Sequence, residues 1–234
     1  MTCVIQYEDR RDDQHEELMA YNAAYCRKQG YTYYRPFERI DIPPCWIKVL
    51  LVKQVMVAHP DVQTIAWLDS DAVVHDTARR IETLFPADKD LLLSYCPLEI
   101  GDLNTGVFYI RVNDTTRQVV NDWWNCYTTT SWNKVGGKWT CDGPQTGLDY
   151  ERGAFTEKVL PRYPDVVGKY VYTIFNESVA FPNPSTFSCH FLFPKKDKKT
   201  LVTRYLVARK VPSLIALCVV GLGIGVYAYY RRQD

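Results

Sequence analysis

Two aspartates separated by one residue end an apolar run in Ala66-Trp-Leu-Asp69-Ser-Asp71-Ala-Val-Val74. Alternate residues of an extended chain share a side, so the spacing predicts Asp69 and Asp71 together, with Ser70 facing away. In an α/β sheet the carboxyl end of such a strand opens into the crevice where ligands bind. Two hard carboxylate donors there suit Mg²⁺ or Mn²⁺ bridging to a diphosphate, because the cation offsets the charge of the leaving phosphate. Asp-x-Asp alone is a weak signal, and the chain carries its own control. Asp88-Lys-Asp90 precedes an apolar run, at the wrong end of a strand, and reads as a solvated turn.

Other residues gain or lose meaning beside that pair. His190, in Cys189-His-Phe-Leu192, offers an imidazole of the kind that binds Mn²⁺-like ions, against the plainer reading of a polar residue on an interior strand. Asn104-Thr105-Gly106 precedes the strand-like run Val107 to Val112, where Gly permits a tight bend and the amide faces a polyhydroxylated ligand. Lys48 lies on a largely apolar helix, either reaching for solvent or aimed at a diphosphate. Gln6 and Tyr7 end the first strand, beside the expected place of a nucleotide base. Trp132 and Trp139, set among Thr, Ser and Gly, offer flat indole faces to an acceptor sugar, whereas Trp123 and Trp124 read as packing.

The elements needed to position these groups are legible for the first half of the chain. Cys3 to Tyr7 is a short strand, and Asp13 with Glu16 three residues later reads as a capping box for a helix that runs to Gln29 and stops at Gly30. Tyr31 to Tyr34 is a second strand. A nearly all-apolar helix runs from Cys45 to His59, followed by a buried strand over Gln63 to Leu68. Leu91 to Tyr95 and Val107 to Val112 are further strands, and Asn113 or Asp114 caps a helix to Cys126. Strands alternating with helices predict an α/β sheet of Rossmann-like type. Past residue 130 aromatic, Gly-containing loops give no topology.

Composition excludes several classes. The 234 residues are 47% apolar and 24% charged, near the globular average, so disorder and collagen-like chains are ruled out. Residues 1–194 hold 19 basic against 25 acidic side chains, a net charge of −6 that suits nucleic-acid wrapping badly. Eight scattered cysteines, without a C-x-x-C pair, argue against a zinc site and for mostly buried free thiols.

From Val211 to Tyr230 twenty residues carry no charge, long enough as a helix to span a bilayer, and Arg231 and Arg232 close the run. No basic and apolar leader opens the chain, so insertion after synthesis is expected. Lys195, Lys196, Lys198, Lys199, Arg204, Arg209 and Lys210 outnumber the two arginines beyond the span, which predicts a cytosolic main domain over a lumenal one in Golgi or endoplasmic reticulum. Gly221 and Gly225 form a G-x-x-x-G pair able to pack two such helices into a homodimer. The expected organisation is a main domain over 1–194, a basic juxtamembrane segment over 195–210, a transmembrane helix over 211–230 and a polar tail over 231–234. The sequons at Asn113 and Asn176 read as chance.

Five segments, in order, resemble the retaining GT-A glycosyltransferases, above all the α-galactosyl-, α-xylosyl- and α-mannosyltransferases, with glycogenin-like features. They are Tyr21-Asn-Ala-Ala-Tyr25 with Gly30-Tyr31, Trp46-Ile-Lys48, Trp67-Leu-Asp69-Ser-Asp71-Ala72, Leu103-Asn-Thr-Gly106 through Arg111 with Gln145-Thr-Gly-Leu148, and Cys189-His190-Phe191-Leu192. The resemblance implies a GT-A mixed sheet flanked by helices and a metal-dependent transfer of sugar, with retention, from a nucleotide-diphosphate donor to a hydroxyl of a glycan or glycoconjugate. A UDP-sugar ranks ahead of a GDP-sugar. It assigns Asp69, Asp71 and His190 to Mn²⁺ or Mg²⁺. To the donor and substrate it assigns Gln6, Tyr7, Lys48, Ser70, Asn104, Thr105, Gly106 and either Lys195 or Lys196, and it sets Gln145 and Asp142 near the reacting sugar. The chain departs from the family's pattern at Phe193, where a Gly is usual, and at Pro144, where an acidic residue precedes the Gln. Two rival readings are an Asp-nucleophile phosphohydrolase using Asp69, and a tethered carbohydrate-binding module without turnover.

Overall fold

The structure is a computed structural model that describes residues 1–10, 12–96, 103–192 and 195–210, the side chains of 195–197 and 210 excepted. The apolar run over 211–230 and Phe193 lie outside the described residues. Among the described residues no helix is long and apolar enough to cross a membrane.

The described residues form a six-stranded mixed sheet built as the alternation of strands and helices predicts. β1 (Thr2–Ile5) lies between β2 (Thr32–Tyr34) and β3 (Thr64–Leu68), parallel to both. β6 (Leu103–Arg111) then pairs antiparallel with β3 and with β5 (Leu91–Tyr95), and β9 (Val167–Tyr170) closes the far edge parallel to β5. Period-two alternation divides the strands between two cores. Ile5, Ile65, Trp67, Leu93, Phe108 and Ile110 face α2 (Ile47–Ala58) and α3 (Asp114–Trp124), while Val4, Ala66, Leu68, Leu92, Val107 and Tyr109 face the side that carries Tyr25 of α1 (Asp13–Gln29). Burial on both faces explains why the inner strands β1, β3 and β6 are buried along almost their whole length, whereas the edge strand β2 is half-exposed.

Several boundaries differ from the sequence reading for identifiable reasons. The first helix is capped by Asp12 and not Asp13, its side chain accepting from Gln14 N and His15 N, and Glu16 leaves any capping box to pair with Arg35. Gly30 ends that helix at φ 73°, as predicted. A 3₁₀ turn over Pro44–Trp46 feeds α2, and Asn113 caps α3 in a capping box with Thr116. Asp90 is no solvated turn residue: it accepts from Arg111 (2.9 Å) and Asn113 (2.8 Å). Asn113 and Asn176 of the two sequons thus both spend their amides internally, Asn176 donating to Ser94. The cysteines at 3, 26, 45, 96, 126, 141 and 189 are free thiols, and Cys218 lies outside the described residues.

Beyond residue 130 the elements are short. A hairpin of β7 (Asn133–Val135) and β8 (Lys138–Thr140) turns through Gly136 and Gly137, both at positive φ. It is tied down by Lys134 to Asp41 (2.6 Å) and by Arg39 donating to Gly137 O (2.6 Å). α4 (Glu151–Ala154) and α5 (Tyr172–Phe175) are single turns. β4 (Ala72–Val74) and β10 (Ser188–His190) make a separate antiparallel ribbon. This body, Met1–Ser178 with Pro182–Leu192, is one compact unit, and α6 (Lys195–Lys210) belongs to a second.

One buried amide ties α1 to the ribbon. Asn22, fully buried, donates to Ala72 O (2.9 Å) and Gln6 Oε1 (2.9 Å) and accepts from Val74 N (2.8 Å). Asn22→Ala is expected to cost about 2–4 kcal/mol, because it strands buried backbone groups of β4. Urea denaturation of the variant measures this, and a loss under about 1 kcal/mol would show that the amide bears no such load.

Candidate functional site

β3 delivers Asp69 at its carboxyl end, and the next two residues turn instead of continuing extended: Ala72 N, which opens β4, donates back to Asp69 O (2.9 Å). This corrects the period-two argument. The two carboxylates converge through a turn, and Ser70 within it donates to Glu8 Oε2 (2.6 Å). The turn is fixed on both sides. Asp69 N donates to Gly106 O (2.7 Å) and Phe191 N to Asp71 O (3.1 Å).

His190 arrives from the ribbon, paired with Ala72, and completes a cluster with Asp69 and Asp71 whose ligand atoms all lie within 4.8 Å. Its Nε2 is 3.1 Å from Asp71 Oδ1 and 3.8 Å from Asp69 Oδ2. On the other side Nδ1 lies 3.3 Å from Asn176 Oδ1, and Asn176 donates in turn to Ser94 Oγ (2.5 Å). A carbonyl oxygen at Nδ1 selects the tautomer with its proton there and leaves the Nε2 lone pair for a ligand bond.

Gly106 explains how the cluster fits. A Cβ added to it would lie 2.0 Å from His190 Cε1 and 2.8 Å from Asp69 Oδ2. β6 starts at Leu103, so Asn104, Thr105 and Gly106 are strand residues, and Gly106 has no positive φ. Its glycine is required by the close approach of the imidazole and not by a bend, which corrects the turn reading. The two carboxylates, one neutral imidazole and a backbone without a side chain beneath them form a donor set that fits Mn²⁺ or Mg²⁺.

Asp69 is also held from behind. Its Oδ1 accepts from Trp67 Nε1 (2.7 Å) and lies 3.1 Å from Lys48 Nζ. Lys48, 7% exposed, further donates to Thr105 O (3.1 Å) and sits 3.3 Å from Glu151 Oε1. Burial alone would push its pKa down; the charges of Asp69 and Glu151 outweigh that and hold it above the ordinary lysine value. Lys48 is thus a brace on Asp69. Gln6 is likewise internal: fully buried, its amide donates to Asp69 O (3.1 Å) and accepts from Asn22 and Tyr33, so it supports the acid turn.

A cavity of about 700 Å³ opens over the cluster. Tyr7, Lys48, Ser70, Asn104, Thr105, Gly106 and Gln145 border it beside Asp69, Asp71 and His190. Asn104 Oδ1 accepts from Gly106 N (2.8 Å). Trp132 and Trp139 form part of the wall, Trp132 donating to Asp149 O (3.0 Å) and Trp139 to Asp41 (3.1 Å). Asp142 is exposed and is not among the lining residues. The side chains of Lys195 and Lys196 lie outside the described residues.

Four further residues belong to this neighbourhood, three of them without a place in the sequence reading and the fourth, Asn176, there only as a chance sequon. Glu151, Arg10 and Glu8 border the cavity, and Asn176 orients His190. Glu8 takes Ser70, Arg10 and His15 around one buried carboxylate. Burial pushes its pKa up, but the hydrogen bonds from Arg10 and Ser70 prevail and the net shift is downward from 4.5. No local pattern marks these residues.

Residues 4–95 match the galactosyl transferase GMA12/MNN10 family. Galactomannan galactosyltransferase 1 of Cyamopsis tetragonoloba is 29% identical over 211 residues, 81% of this chain and 45% of that protein. Xyloglucan 6-xylosyltransferase 2 of Arabidopsis thaliana is 26% identical over 107 residues, 42% of this chain and 24% of that one. The chain spans less than half the length of these curated relatives. A glycosyltransferase involved in the glycosylation of the major capsid of PBCV-1 superposes with a TM-score of 0.65 at 15% identity, covering 86% of this chain and 98% of that one. The glycosyltransferase GlyE of Streptococcus pneumoniae does so at 0.50 and 10% identity, covering 87% and 60%. The chain therefore resembles GT-A glycosyltransferases in sequence and in fold.

Two expectations follow from the geometry. Gly106→Ala should displace the imidazole and lower Mn²⁺ affinity by at least about tenfold, read by titration calorimetry; unchanged affinity would show that the site does not need the bare backbone. Because the folded pKa of Glu8 is depressed, its contribution to stability is complete above the ordinary glutamate value of 4.5 and is lost as pH falls through the lower folded value. Denaturation of Glu8→Gln should accordingly show a shallower loss of stability on acidification than the parent protein; parallel curves would remove Glu8 from the account.

Proposed function

We propose that this chain is a metal-dependent glycosyltransferase that moves a hexosyl or pentosyl unit from a nucleotide-diphosphate sugar, UDP ahead of GDP, to a hydroxyl of a glycan or glycoconjugate. The convergence of Asp69, Asp71 and His190 under a cavity large enough for such a donor carries the reading. Those three residues would hold Mn²⁺ or Mg²⁺, which when bound supplies positive charge for the departing nucleoside diphosphate. Lys48 and Trp67 fix the orientation of Asp69, and Asn176 fixes that of His190. Asn104 and Gln145 border the cavity where the sugars would lie, and the indole of Trp139 offers its acceptor side a flat apolar face.

Names of relatives add the substrate class: a galactomannan galactosyltransferase and a xyloglucan xylosyltransferase both act on polysaccharides, and a glycan acceptor follows for this chain by analogy. Retention of anomeric configuration rests on the same resemblance. The apolar run over 211–230 is the proposed membrane anchor, with the basic segment before it on the cytosolic side. An attacking Asp69, as a phosphohydrolase would need, sits poorly with a carboxylate whose Oδ1 already serves an indole and an ammonium.

The full chain, screened against UDP- and GDP-sugars, should release nucleoside diphosphate with Mn²⁺ and lose that activity with chelator. Asp71→Asn should reduce turnover on the order of 100-fold. Turnover that ignores both chelator and the substitution would overturn the mechanism, and sugar binding without turnover would favour a binding module.

A further inference from the structure

Glu151 is a buried carboxylate at the wall of the cavity that the reading above leaves without a task. Its side chain is 6% exposed. Its Oε1 accepts from the Thr105 hydroxyl (2.9 Å) and lies 3.3 Å from Lys48 Nζ, the ammonium that also sits 3.1 Å from Asp69 Oδ1. Its backbone carbonyl is fixed by Trp123 Nε1 (2.8 Å), so the residue cannot drift from this place without disturbing the core.

Charge balance gives that position a consequence. Lys48 is needed to hold Asp69, yet a cation in contact with a metal ligand repels a dication and cancels half of the Asp69–Asp71 pair. Glu151 restores what Lys48 removes. One ammonium and three carboxylates carry a net −2, which a divalent cation neutralises; without Glu151 the group carries −1. Glu8 does not alter this count, since Arg10 lies against it (2.5 Å), and His190 enters as a neutral ligand.

We infer that Glu151 is a positioning residue for the cation site: it holds Lys48 in place and offsets the ammonium, so that Asp69 is both oriented by a positive charge and still attractive to a divalent ion. The inference rests on the metal-dependent reading of Asp69, Asp71 and His190. Glu151 itself is not among the three candidate ligands.

The test is Mn²⁺ affinity of the full chain, measured without sugar donor by electron paramagnetic resonance of free Mn²⁺. Glu151→Gln, which keeps shape and hydrogen bonding but not charge, should weaken binding about 10- to 100-fold. Glu151→Asp, which keeps the charge, should stay within about threefold of the parent. A purely structural role predicts lowered thermal stability in the absence of metal and unchanged Mn²⁺ affinity of the folded Glu151→Gln protein. Parent-like binding by a folded Glu151→Gln overturns the inference. If that variant does not fold, Glu151→Asp decides, and binding more than about tenfold weaker than the parent overturns it as well. No Mn²⁺ binding by the parent protein would instead sink the metal-dependent reading, and the role of Glu151 with it.

Discussion

An aspartate that is to present one oxygen to a cation must be kept from rotating, and here that constraint falls on Asp69. Its Oδ1 accepts from the Trp67 indole, and the Lys48 ammonium lies against both oxygens, 3.1 Å from Oδ1 and donating to Oδ2 at 3.3 Å, with His190 on the Oδ2 side. Both restraints come from residues of the core: Trp67 is on the central strand and Lys48 on the helix packed over it. The orientation of the carboxylate is thus set by the same packing that holds the sheet together, and reactivity at this edge is coupled to the integrity of the fold.

A second layer holds the peptide groups. Gln6 and Asn22 both reach the turn between β3 and β4 through their amides, and Tyr33 completes the set from the neighbouring strand. These are buried polar groups with partners, the arrangement that lets a polar network specify one geometry in place of several. His190 has an equivalent support in Asn176 and Ser94.

The acid pair, the histidine and the alternation of strands and helices were readable because each is a local signal: a residue type at a strand end, or a period in hydrophobicity. What was misread depends on distance across the fold. Gly106 invites a turn assignment because glycine usually marks one, whereas its reason lies in an imidazole 84 positions later. Gln6, at the end of the first strand, invites a place beside a base and is a brace, since nothing in its local sequence discloses that Asn22 and Tyr33 surround it. Glu151 follows an unpatterned stretch, and a carboxylate is assumed to be exposed until a buried lysine is found beside it. Between residues 130 and 192 the described helices and strands have three to five residues each, too few for periodicity to register.

The ribbon that joins Ser188–His190 to Ala72–Val74 links positions more than a hundred residues apart. A growing polypeptide therefore carries Asp69 and Asp71 well before His190 is made, and the three side chains come together only as Ser188–His190 docks on Ala72–Val74. Assembly order thereby becomes a safeguard: the half-made chain has the two carboxylates without the imidazole, and the three donors converge only once this body is complete.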